Sequence, residues 1–307
     1  ISYRTAYLRH YYFPEFMAAT LSSWMSSSDR IGMYIDVCKA NGVDVLPPSV
    51  NRSLKAFSVE AGAIRFGLGA VKNVGDGAVN SIVAERAAGG EFSSLDDFCS
   101  RVDMNAVNRK AVESLIRAGA FGDLGNRRQL VTVMDQVCDT AATRQRTTQS
   151  GQASFFDLFA SPAEFGAGLT SLPEVPEFRT DQLLTMEKEL LGVYLSGHPL
   201  ASLAPVLRRV ASAQVRDLPN GRDGDVVTVA GVVTARKQIS ARTGQPMAFV
   251  QLEDMSGQVE VILFPRMFEQ FRQLVVEDAR IVVKGKLDIK EEGAKILADS
   301  VWELPGQ

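Results

Sequence analysis

Leu68-Gly69-Ala70-Val71-Lys72-Asn73-Val74-Gly75-Asp76-Gly77-Ala78-Val79 decides how this chain is read. Helical patterns flank a tight Val-Gly-Asp-Gly turn. Its two glycines permit backbone conformations that a side chain forbids. They also bare amide N–H groups at the start of the next helix, where the dipole is positive and a phosphate oxygen fits. Lys72 adds a charge beside the turn.

A second, looser copy follows. Asn108-Arg109-Lys110 opens a helix carrying Val112, Leu115 and Ile116, and Ala118-Gly119-Ala120-Phe121 makes its turn. Ser93 to Asp96 reads as a capping box for the helix between the two. The first turn has the look of a helix-hairpin-helix, which grips DNA backbone without reading bases. The plain alternative stays open: both turns are ordinary helix C-caps ending in glycine. Phe121 reads as a core plug.

Outward from the hairpins, the first 55 residues are helical. Ser28 caps a helix whose stripe is Ile31, Tyr34, Ile35 and Cys38, and Asn41-Gly42 stops it. An earlier helix follows Pro14, with Phe16, Met17, Leu21 and Trp24 to bury. Residues 55–66 form a short β-hairpin turning at Ala61-Gly62, and the hairpin domain spans 56–140. Residues 141–180 are rich in Thr, Gln, Ser, Gly and Pro and read as an exposed linker. Within them Gln152-Ala153-Ser154-Phe155-Phe156-Asp157-Leu158-Phe159 sets aromatic anchors in polar sequence. Such a segment docks into an apolar groove on a partner or folds onto its own domain. A helical connector, 181–220, ends its first helix at Ser196-Gly197-His198-Pro199.

From 221 to 307 the period changes to two. Five strands centre on Val227–Val233, Phe249–Leu252, Val259–Leu263, Ile281–Leu287 and Lys295–Ala298, with a helix near 268–276 between the third and fourth. That order matches a five-stranded OB-fold β-barrel, so the whole is an α+β multidomain chain. OB barrels bind single strands on a basic, aromatic-dotted face. Arg236, Lys237, Arg242 and Phe249 are the candidates; Phe249 as barrel interior, and the cations as a solvated face, remain the alternatives. Phe264-Pro265 reads as the seal of the barrel end.

The 307 residues are 46% hydrophobic and 22% charged, ordinary globular composition. No run of 18 apolar residues exists, and the chain opens on Ile1-Ser2 without a start Met, which suggests a fragment. Cys38, Cys99 and Cys138 are far apart in sequence and form no CxxC pair; His10 and His198 are the only histidines. No metal site is expected, and a reducing cytoplasm fits. The net charge of -3 counts mildly against a nucleic-acid protein, but binding depends on local patches. A polymerase or nuclease needs carboxylates converging on metal ions. The acidic pairs Asp96-Asp97, Glu253-Asp254, Glu277-Asp278 and Glu291-Glu292 fall at helix starts, strand ends and turns, so no catalytic residue is assigned.

Taken together, these residues resemble the C family of bacterial replicative DNA polymerases, the polymerase III α subunits, from the end of the fingers through the OB domain. Ser2-Tyr3-Arg4-Thr5-Ala6-Tyr7-Leu8 is similar to the fingers end, and Val45-Leu46-Pro47-Pro48-Ser49-Val50-Asn51 to a family signature with Ser49 for the usual Asp. Phe66 to Gly75 resembles the start of the tandem hairpin, Leu115 to Phe121 its second turn, and Glu187 to Leu200 a block before the OB domain. The resemblance implies DNA-backbone contacts at Lys72, Asn73, Val74, Gly75 and Gly77, with Arg109, Lys110 and Gly119 at the second turn. It implies a sliding-clamp motif at Gln152, Ala153, Ser154, Phe155 and Phe156, Phe155 replacing the usual Leu or Met. The implied partners are double-stranded primer-template, single-stranded template, the β sliding clamp and other polymerase III holoenzyme subunits. The family's templated deoxynucleotidyl transfer uses Mg2+ held by palm aspartates that precede this stretch, so the segment alone is expected to be inactive. The competing reading is a stand-alone single-stranded-DNA-binding or repair accessory protein.

Overall fold

Pro14 starts a helix at Phe13, as a fixed φ in the first turn allows: α2 spans Phe13–Ser23 and buries Met17, Ala18 and Leu21. Before it runs α1, Ser2–Tyr11, which buries no residue. α3, Ser28–Ala40, buries Ile31, Ile35 and Cys38, and Gly42 ends it with a φ of 73°. Its N-cap is Ser27, one residue before the expected Ser28, and no side chain bonds there. The structure, a computed structural model, describes residues 2–149, 171–240, 244–290 and 293–304. It divides into two units, Ile1–Ser196 and Gly197–Gln307.

In unit 1 a three-stranded sheet follows the helices. β2 (Ser58–Glu60) and β3 (Ala63–Arg65) pair antiparallel across Ala61-Gly62, both at positive φ. β1, Val45–Leu46, runs parallel to β3 and has no sequence signal, because two residues carry no period. The Pro47-to-Asn51 stretch is a staple. Pro47 carbonyl accepts from Arg65 Nη1 at 2.8 Å, and Val50 N–H donates to Ala120 carbonyl at 2.9 Å. Asn51 exchanges two hydrogen bonds with the Phe92 backbone. Arg65 also holds the Glu60 carboxyl below its ordinary range by a side-chain hydrogen bond.

Helices α4 (Asp76–Gly89), α5 (Leu95–Arg101), α6 (Arg109–Arg117), α7 (Arg127–Gln149) and α8 (Thr180–Leu191) complete the unit. The α5 cap is Ser94, whose side chain accepts from Asp97 N–H, and Asp97 accepts from Ser93 N–H. That box stands one residue later than expected. Phe92, Phe98 and Phe121 stack edge-to-face at centroid distances of 4.9 Å along the core. Cys99 and Cys138, distant in sequence, meet there: their side-chain hydrogen bond, then burial, pushes the Cys99 thiol up. Burial alone pushes Cys38 up to about 11.

α7 runs past residue 141, where the linker was expected to begin, because Val137, Cys138 and Ala141 keep one face buried. Residues 171–179 are docked at its start. Glu177 accepts from the N–H groups of Arg127 and Arg128, where the positive helix end favours a carboxylate. Asn126 and Gln129 donate to Val175 and Pro173 carbonyls. Below them lies a buried ion pair: Arg127 Nη2 is 2.9 Å from Glu187 Oε1, with side chains 14% and 2% exposed. Arg127 Nη1 also donates to Arg117 carbonyl, and Glu187 Oε2 accepts from Leu195 and Ser196 N–H.

Unit 2 is a closed barrel in the order β4-β5-β6-β8-β7, where β4 is Val226–Ser240, β5 Pro246–Glu253, β6 Gln258–Leu263, β7 Arg280–Lys290 and β8 Gly293–Glu303. Only β6 and β8 pair in parallel. Val227, Val229, Val233, Ala248, Val250, Leu252, Val261 and Val283 fill the interior. Ala230 and Val232 face outward yet are buried beneath Leu200 and Leu203, with residues of α9 (Ala204–Val210) packed alongside. This explains why the start of β4 reads as continuously apolar. Gly231 lets β4 approach β5, since a Cβ there would stand 2.6 Å from Glu253 carbonyl oxygen. α10, Pro265–Phe271, begins three residues before the expected helix and buries Phe268 in the barrel. Phe264 is 48% exposed and does not seal the barrel end; Phe268 does.

Two predictions concern unit 1. Glu187→Ala leaves the Arg127 guanidinium buried without its counter-charge and should lower stability by about 3–5 kcal/mol in denaturant unfolding. The glycines should separate. Gly119 has a φ of 84°, and a Cβ would stand 2.8 Å from Arg127 Nη2, so Gly119→Ala should destabilise by at least ~1–2 kcal/mol. Gly77 lies in the first turn of α4 with only Ala106 Cβ near, at 3.9 Å. Gly77→Ala should be neutral or stabilising by up to ~1 kcal/mol.

Candidate nucleic-acid interface

The first glycine turn is an exposed apex held from below. Lys72 N–H donates to Leu190 carbonyl at 2.9 Å, and Val71 and Val74 are buried. Asn73 stands in the left-handed region, φ 66°, and its Nδ2 donates to the buried Ser114 hydroxyl at 3.1 Å. The two glycines do not take that conformation, contrary to the sequence reading. Gly75 is the α4 N-cap with φ -78°, and Gly77 lies inside the helix. Asn supplies the left-handed residue because its short polar side chain tolerates it and finds a partner. The glycines instead leave the backbone bare on either side of Asp76: a Cβ on Gly75 would meet nothing within 4 Å. The helix ladder starts at Val79 N–H, leaving the amides of Asp76, Gly77 and Ala78 without an acceptor among the described residues. The element before the turn is a 3-10 turn, Leu68–Ala70, not an α-helix.

The second turn has a different character. Asn108 caps α6, its side chain accepting from Ala111 N–H. Gly119 N–H is used by Ile116 carbonyl, and the Arg127 guanidinium lies over the glycine. Arg109 pairs with Asp135 at 3.2 Å and with Asp139, and Lys110 with Glu113 at 3.2 Å. The positive charges expected here are met within the protein. By contrast Lys72 is exposed and has no acidic partner among the described residues.

On the barrel, strand alternation sorts the candidates. Ala248 and Val250 point inward, so Phe249 points outward, half-buried, with Lys237 directly across on β4. The register extends this pair into a belt around the barrel: Phe249 opposes Ile262, Ile262 opposes Leu297, and Leu297 opposes Lys286. Three half-buried apolar side chains are thus flanked by two exposed lysines. Ile262, Leu297 and Lys286 were missed in the sequence, since only the register across four strands aligns them.

Arg236 is not on this belt. It opposes Val250, and its Nη1 donates to the carbonyls of Arg272 and Val275 after α10. It lines a separate cavity of about 680 Å³ with Gln238, Gln245, Phe268 and Arg272. Arg242 and the Gln152–Phe156 motif lie outside the described residues.

Two of the acidic pairs supply carboxylates that are engaged in structure. Asp254 accepts from Val215, Ser256 and Gly257 N–H, and Asp97 accepts from Ser93 N–H at the start of α5. His198 Nδ1 accepts from Leu200 N–H, and its Nε2 is 3.5 Å from Glu253 Oε1. Among the described residues no group of three His, Cys, Asp or Glu side chains could hold a metal ion. No helix among them is long and apolar enough to cross a membrane.

Comparisons with known proteins agree with this geometry. Residues 42–130 match the family described as a helix-hairpin-helix motif, and residues 227–304 the OB-fold nucleic acid binding domain. The chain is 36% identical over 99% of its length to DNA polymerase III subunit alpha of Neisseria meningitidis serogroup B. It is 34% identical to that of Vibrio cholerae and 38% identical to that of Thermus aquaticus, again over 99% of its length. It spans about a quarter of the length of these relatives: 26%, 26% and 24%. Over 99% of its length, then, the chain is homologous to a segment of DNA polymerase III α subunits, and it carries helix-hairpin-helix and OB modules.

Proposed function

We propose that this chain is the DNA-handling segment of a replicative DNA polymerase. The first hairpin grips duplex primer-template through its backbone, and the barrel belt tracks single-stranded template. The observation that carries the reading is the apex at Lys72 to Gly77. It combines an unpaired cation, free helix-start amides and two glycines that leave the backbone bare on either side of Asp76, inside the stretch matched by the helix-hairpin-helix family. Phosphate oxygens fit such a surface whatever the sequence of the bases. Deoxynucleotidyl transfer, with the Mg2+ it uses, belongs in this reading to the three quarters of the relatives' length that the chain does not span. The second turn contributes less to DNA binding, because the Gly119 amide is taken by Ile116 carbonyl and the Arg127 guanidinium covers the glycine.

On the barrel, Phe249 offers a face for base stacking, and Lys237 and Lys286 offer charge for the backbone. Gln152-Ala153-Ser154-Phe155-Phe156 is the segment proposed to bind the β sliding clamp, within a cytoplasmic holoenzyme. The Phe pair is the anchor and the Gln the polar lead.

The DNA reading is tested by binding as a function of salt. Lys72→Ala should weaken duplex binding equally across sequences and lower the salt slope by about 1. Gly77→Ala should weaken it with the fold intact. Phe249→Ala should weaken oligothymidine binding by ~1–3 kcal/mol without changing duplex affinity. Loss confined to particular duplex sequences would argue against backbone gripping.

The clamp reading is tested by titrating the sliding clamp. Phe155→Ala with Phe156→Ala should lose about 2 kcal/mol or more of affinity, as hot-spot anchors do. Equal binding by both forms would sink it.

A further inference from the structure

The glycines before the hairpin have a purpose that the hairpin alone does not explain. Gly67 has an ordinary φ of -75°, yet a Cβ there would stand 2.6 Å from the Ala56 carbonyl carbon and from the Lys55 carbonyl oxygen. A Cβ on Gly69 would stand 3.0 Å from Lys55 oxygen and 3.2 Å from its Cγ. Leu68 and Gly69 N–H donate to the carbonyls of Leu54 and Lys55 at 2.9 and 3.0 Å. The two glycines therefore let residues 54–56 lie flush against the arm of the hairpin. The result is that Lys55 reaches the turn: its Nζ is 2.8 Å from Asp76 Oδ2, at the first position of α4.

This ion pair is open to water, with side chains 47% and 73% exposed, so it is weak and easily exchanged. Asp76 is an anion on the positive end of α4, beside the three free amides. A carboxylate there repels a phosphate unless a cation offsets it.

We propose that Lys55 is a further DNA-phosphate ligand of the hairpin, and that Asp76 is its stand-in anion in the free protein. On binding, a backbone phosphate takes the Lys55 ammonium from the Asp76 carboxylate. No bond is made or broken beyond the exchange of ion pairs. The inference rests on the duplex-gripping reading above and adds a cation that sequence spacing hides, 17 residues before Lys72. Its effect is to hold Lys55 extended toward the site before DNA arrives, and to make entry selective for anions strong enough to displace a carboxylate.

The test is a double-mutant cycle in the full chain, read by fluorescence anisotropy on random-sequence duplexes from 50 to 200 mM salt, with thermal melts to check folding. Lys55→Ala should lower the salt slope by about 1, so that its deficit at 50 mM exceeds that at 200 mM by about fourfold. Lys55→Arg should restore binding. Asp76→Asn should tighten binding, and Lys55→Ala should still lower the slope by about 1 in that background. If the Lys55→Ala effect vanishes once Asp76 is Asn, Lys55 merely neutralises Asp76 and the proposal is overturned. An unchanged affinity for Asp76→Asn, or for Lys55→Ala in the native background, overturns it too. The underlying reading fails separately, and only if Lys72→Ala also leaves duplex binding unchanged.

Discussion

The Arg127–Glu187 pair is the constraint on which unit 1 depends. One guanidinium bonds the last turn of α6 through Arg117 carbonyl, lies over Gly119, and meets Glu187 on α8. The other oxygen of Glu187 takes the amides of Leu195 and Ser196. A buried pair of this kind is weak evidence for stability, but breaking it is costly, so it selects one arrangement of the helices around it. Arg suits the position because its planar fork reaches two acceptors at once. The consequence extends to the candidate site. α8, fixed by Glu187, presents Leu190 carbonyl to Lys72 N–H, which orients the exposed apex. The surface proposed to meet DNA thus inherits its geometry from a contact in the interior.

The same pair explains why two glycine turns of similar sequence differ. At Gly119 the glycine is required by its own fold: the left-handed φ and the guanidinium above it leave no room for a side chain. At Gly75 and Gly77 the fold requires no glycine, since Asn73 supplies the left-handed residue and the space is open. A glycine that the protein itself does not need is a better sign of an approaching ligand than one it does.

Much of this was legible in the sequence. The helix stripe of α3, the β2–β3 hairpin, the five barrel strands and the exposed Lys72 apex all follow from period and turn chemistry. What was hidden has one physical cause: contact between residues far apart along the chain. β1 is two residues long and exists only by pairing with β3. Residues 171–179 read as linker because their anchors are Glu177 and backbone carbonyls, not an apolar stripe. Cys99 and Cys138 meet across the core. Lys237 and Phe249 were both named in advance, but Arg236 parts from them because one residue along a strand reverses the face.

Net charge misled for a related reason. The sum of -3 says nothing about which cations are free. Arg65, Arg101 and Arg127, each largely buried beside a carboxylate partner, contribute little field outside the protein. Lys72 on the hairpin, and Lys237 and Lys286 on the belt, have no acidic partner among the described residues. A phosphate approaching at physiological salt senses charges within roughly a Debye length of ~8 Å, not the total. Lys72, Lys237 and Lys286 stand at two places whose shape suits a nucleic acid, so the local field there is positive although the sum is negative.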